Sequence, residues 1–147
     1  MDMKEKEMKT KEHMVAVVEP TRDGEATIDL AQEVVDRGGR ATVVVLITKD
    51  TIRNISAFAH SEAMAYADAK EIYVERLADV YTSRLGEEDA ATIVTDDAHP
   101  SQVVFNTATR SAATSVAMPQ RLATRRGWKA AVARSIVPVL IAPPTAA

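Results

Sequence analysis

The sequence predicts an α/β fold: a doubly wound, five-stranded parallel sheet with helices on both faces. Two observations carry this. Short apolar runs at 14–18, 42–48, 90–95, 113–118 and 137–142 alternate with longer amphipathic stretches, a pattern that calls for parallel strands joined by right-handed helical crossovers. The runs at 14–18 and 42–48 are apolar throughout, as strands covered on both faces must be.

Each element can be justified in order. Residues 14–18, MVAVV, form the first strand, ended by Glu19-Pro20-Thr21 because proline cannot donate to a sheet ladder. Asp23 is placed to cap the next helix, whose inner face is Ile28, Ala31 and Val35, widened by Leu30 and Val34. Gly38-Gly39 stops it. The second strand is the run TVVVLIT at 42–48, with Val43, Val45 and Ile47 on one face and Val44 and Leu46 on the other. Residues 49–60 read as a connection with a short helix after Asp50. Ser61 then caps a long helix to Leu85, with a stripe of Tyr66, Tyr73, Leu77, Val80 or Tyr81, and Leu85, ended by Gly86.

Residues 90–95 give the third strand. Pro100 opens the following helix, where its missing N–H costs nothing, and Val103, Val104, Thr107 and Ala108 face inward. Small residues at 113–118 form a fourth strand, and 120–135 is helical with a break at Gly127. The last strand is VPVLIA at 137–142, ended by Pro143-Pro144. Residues 1–13 are a charged leader, and 14–147 a single domain.

Composition narrows the function classes. The chain has 147 residues, 46% apolar, with few aromatics, so its core is built from Val, Ile, Leu and Ala. It has no cysteine, which removes disulfides and thiolate metal sites and fits a cytoplasmic location. No apolar run approaches the ~18 residues of a membrane span. The formal charge is −3, yet no Asp or Glu follows Asp97; beyond it stand Arg110, Arg121, Arg125, Arg126, Lys129 and Arg134. That segment offers an anion site or the solvated face of a helix. Nucleic acid is not the expected partner, because the basic stretch lacks interleaved aromatics.

His13, His60 and His99 are scattered with no metal-ligand spacing. No Ser-His-acid constellation is evident, and Asp96-Asp97 reads as acids favoured at a helix N-terminus. Tyr66, Tyr73 and Tyr81 read as edges of a core helix, and Trp128 as a packing residue.

Three segments carry a family resemblance: VAVVEPT at 15–21, DDAHPSQVVFNTA at 96–108 and VPVLIAPP at 137–144. In order and spacing they resemble the universal stress proteins. The resemblance implies strand order 3-2-1-4-5, in the adenine nucleotide alpha hydrolase-like group, and a homodimer joined through the last strand at Val137, Val139, Leu140 and Ile141. It also implies a ligand site at the ends of the first and fourth strands, drawing on Glu19, Thr21, Met118, Arg121 and Arg125. The family's ATP-binding members carry a glycine-rich loop there. In this chain Pro119 stands where the first glycine belongs, Leu122 lies near the second, and Gly127 is followed by Trp128 instead of a hydroxyl. Pro119 removes an N–H and fixes φ, so the phosphate cradle is eroded. The expectation is a non-catalytic, dimeric stress-response protein with no required cofactor. ATP or another adenine nucleotide on a diverged loop is the alternative, and a nucleotide or phosphate hydrolase the second alternative.

Overall fold

The computed structural model describes residues 12–20 and 24–143. Thr21, Asp23, Pro144 and residues 1–11 of the leader lie outside the described residues. The order is β1 His13–Val18, α1 Gly24–Asp36, β2 Arg40–Leu46, α2 Lys49–Ser61, α3 Tyr66–Leu85, β3 Ala90–Thr95, α4 Pro100–Arg110, β4 Ser115–Pro119, α5 Gln120–Ala123, α6 Trp128–Arg134 and β5 Val139–Ala142. All strand pairs are parallel and the sheet order is β3-β2-β1-β4-β5, as the sequence led one to expect.

Alternation along the central strands divides the core into two layers. Ala16 and Val18 of β1, with Val43 and Val45 of β2, pack with Ile28, Ala31 and Val34 of α1. Val15, Val17, Val44 and Leu46 point the other way, onto Val104 and Ala108 of α4 and onto Leu122 and Trp128. Each buried aliphatic side chain contributes about 1.5–3 kcal/mol relative to exposure, so the Val-rich strands supply much of what holds both layers.

Several boundaries differ from the sequence reading. β1 begins at His13, a residue that the sequence assigns to the leader; its Nε2 meets Thr42 Oγ1 at 2.8 Å. The stretch after β2 is a full 13-residue helix, not a connection with one short turn. Thr48 caps it by accepting from Thr51 N–H at 3.2 Å, and Ser61 is its last residue instead of a cap for α3. The reason is the face formed by Thr51, Ile55 and Ala59, which is buried and packs with Ala69 and Tyr73 of α3. Three small or medium residues four apart make a weak stripe in sequence, and only the α3 partner gives it weight. On α3 the ambiguous stripe resolves to Leu77 and Tyr81 against the sheet, while Val80 is 61% exposed. Val137 lies before β5, not in it, and Ile47 lies just beyond β2.

Candidate functional site

The carboxyl ends of β1 and β4 part where the sheet order reverses, since the chain leaves β1 toward β2 on one side and β4 toward β5 on the other. Such a switch point leaves a crevice. Here it is a cleft of about 460 Å³, whose lining includes Glu19, Thr48, Asp50, Asp97, Arg121 and Arg125.

Glu19 follows the last residue of β1 and is buried, 3% exposed. A carboxylate at that depth needs charge partners. Arg121 Nη2 donates to Glu19 Oε1 at 2.9 Å, and Arg125 Nη1 donates to Oε2 at 3.2 Å. The arginines are four residues apart, one in α5 and one in the turn after it, a spacing that puts both on one side of a helical segment. Both oxygens of Glu19 are thus engaged by groups 102 and 106 residues away. The sequence reading treated the three residues as separate ligand contacts. The signal for their pairing was present: a lone acid at the end of β1, arginines four apart after β4, and a topology that makes β1 and β4 neighbours.

The cleft as a whole is charge-balanced. Its lining holds three acids, Glu19, Asp50 and Asp97, and three cations, Lys49, Arg121 and Arg125. Asp97 is also employed locally: its Oδ1 accepts from His99 N–H at 2.8 Å at the start of α4. His99 is the N-cap residue of α4 and makes no side-chain capping bond.

Met118 is fully buried among Val15, Val116 and Leu122 and does not line the cleft. Thr21 lies outside the described residues. Trp128 is buried in the same layer, as a packing residue should be, and also lines the cleft. β4 ends at Pro119, with φ −64°, and is followed by Leu122 with its side chain in the core and by Gly127 at φ 84° immediately before the seven-residue α6. Among the described residues no group of three or more His, Cys, Asp or Glu is placed to hold a metal ion. No helix there is long and apolar enough to cross a membrane.

No protein-family model matches the chain, and no curated protein sequence matches it. Solved structures do. A protein of the universal stress protein family from Burkholderia pseudomallei aligns over 90% of this chain and 96% of its own, with 14% identity and a TM-score of 0.60. A universal stress protein from Archaeoglobus fulgidus aligns over 96% and 99%, with 12% identity and a TM-score of 0.57. A universal stress protein solved in complex with cAMP aligns over 92% and 98%, with 14% identity and a TM-score of 0.56. At such identities the shared property is the architecture, and this chain has the fold of the universal stress proteins.

Proposed function

We propose that the chain is a universal stress protein-like, non-catalytic, dimeric stress-response protein of the cytoplasm whose strand-end cleft does not hold ATP tightly. The observation that carries the reading is Glu19, buried in the cleft and bonded to both Arg121 and Arg125. The two cations best placed to receive a phosphate already serve an internal carboxylate. A triphosphate would have to displace Glu19 and leave it buried without its partners, which is costly. It would also face Asp50 and Asp97 across the cleft. Pro119 and the buried Leu122 stand where a phosphate loop needs glycines and backbone donors.

A second reading has one observation in its favour. The cleft occupies the switch point where such folds bind ligands, and one structure of this fold was solved with cAMP. On that reading the site takes an adenine nucleotide of low charge. Calorimetry with Mg-ATP and, separately, cAMP distinguishes the two. The expected result is ATP affinity weaker than about 1 mM. Micromolar ATP binding that is lost in Arg121→Ala would overturn the main reading. Saturable binding of cAMP alone would select the second.

A further inference from the structure

A larger cavity than this cleft lies elsewhere. A trough of about 700 Å³ lies between α4 and α6 on the face opposite α1. Its origin is local. The seven residues of α6 span only ~10 Å, beside the longer, eleven-residue α4. Where the two helices flank the trough, Ala108, Ala112 and Ala131 present a methyl each, so the space between them is not filled. Ala108 and Ala113 are 3% and 7% exposed and form its depth, while Ile136 at 94% exposed stands on its rim. Phe105 and Val137 line it too and pack against the same core layer.

The charge of the trough is one-sided. Everything lining it falls between His99 and Val137, beyond the last acid in the sequence, so it contains no carboxylate. Arg134 is its only arginine or lysine, and the amides of Gln102 and Asn106 supply neutral polarity. Arg134 takes part in no ion pair among the described residues. A concave, mainly apolar site within the usual 300–1,000 Å³ of small-ligand pockets, with one exposed arginine in its lining, has a definite complement.

We propose that this trough binds a small amphipathic carboxylate, its apolar chain lying along Ala108, Ala112 and Ala131 between the helices and its carboxylate on Arg134. A carboxylate ligand brings the counter-charge that the acid-free segment lacks, and an apolar chain removes from water the surface the alanines leave uncovered. The proposal is independent of the strand-end cleft, which shares none of the residues named for it.

The test is calorimetry of the full chain with dodecanoate, below its micellar concentration, and with dodecanol at matched chain length. The expected result is saturable binding of one dodecanoate per chain, at least about tenfold tighter than dodecanol. Arg134→Gln, at an exposed position, should weaken dodecanoate about tenfold and leave dodecanol unchanged. Ala131→Leu fills the trough and should abolish both, with its melting curve showing that it folds. Absence of saturable binding to the wild type overturns the proposal. So does equal affinity for acid and alcohol, or unchanged binding in Arg134→Gln. If Ala131→Leu instead alters the oligomeric state in light scattering while dodecanoate binding persists, the trough is an interface between copies and the proposal fails.

Discussion

Glu19 Oε1 accepts a hydrogen bond from Arg121 at 2.9 Å, joining the end of β1 to the helical turn after β4 across the point where the sheet reverses. The bond closes the cleft electrostatically from inside. Replacing Glu19 with Gln keeps the shape but removes the charge that holds two guanidinium groups. Stability should fall by about 1–3 kcal/mol, less than for a fully buried pair because both arginines reach solvent. The same variant should bind inorganic pyrophosphate at least about tenfold more tightly than wild type. Chemical denaturation and calorimetry check the two halves; unchanged anion affinity would mean that Glu19 does not guard the site.

The second prediction concerns assembly. Pro138 cannot donate to a neighbour, and β5 is an edge strand paired only with β4. Leu140 and Ile141 sit next to each other in it, so they point to opposite faces, yet they are 42% and 44% exposed. An apolar edge exposed in this way invites pairing with another chain. We expect a homodimer with a two-fold interface through β5. Leu140→Lys or Ile141→Lys should give monomer or aggregate in light scattering. A wild type that stays monomeric at tens of micromolar would remove this interface.

The third prediction tests the central layer. Val45 is fully buried and points into the layer that α1 covers. Val45→Asp places a carboxylate there without a partner, and it should destabilise by about 3–5 kcal/mol, of the order for an uncompensated buried charge. A thermal melt is sufficient; an unchanged, cooperative transition would mean that β2 is misplaced.

Gly39 gives a sharper structural test. A Cβ added there would lie 2.7 Å from Val34 Cγ1, 2.8 Å from the Glu12 carbonyl oxygen and 2.9 Å from that of Val34. Those carbonyls are committed, accepting from Arg40 N–H at 2.8 Å and Gly39 N–H at 2.9 Å, and so cannot yield freely. Gly39→Ala should therefore destabilise by about 1–3 kcal/mol through crowding. At Gly38, with φ 88° and open space around it, the effect of Ala should be the smaller one set by backbone conformation.

His13 supplies a pH prediction. Partial burial, aided by the nearby Arg40 charge, holds its imidazole below the ordinary histidine value of 6.5. The folded state thus binds the proton less readily than the unfolded state. Its contribution to stability is present above pH 6.5 and is lost as pH falls through the lowered folded value. His13→Gln should flatten that part of the pH–stability profile in denaturant titrations. An identical slope in wild type and variant would show that His13 does not titrate in this way.

The sequence alone determined the layer architecture. Its strongest signals, MVAVV at 14–18 and the TVVVL of 42–46, lie in β1 and β2, two of the strands that the sheet buries on both faces. Buried strands must be apolar at every position, so the pattern is local and legible. The edges were less legible. β5 is only four residues long, and Val137 falls outside it although its side chain is as apolar as those inside. Hydrophobicity says that a residue is buried somewhere, not that it joins a ladder. The helix at Lys49–Ser61 escaped for a related reason: Thr51, Ile55 and Ala59 form a face only once α3 lies against them. The site was legible as a set of residues and not as an arrangement. Glu19, Arg121 and Arg125 were all picked out from type and position, but whether a carboxylate and two guanidinium groups await a ligand or satisfy one another depends on distances. Those are set by the parallel pairing of β1 with β4. Contacts across about a hundred residues leave no period in the sequence, so only the tertiary structure could decide that the charges of the cleft are joined to each other.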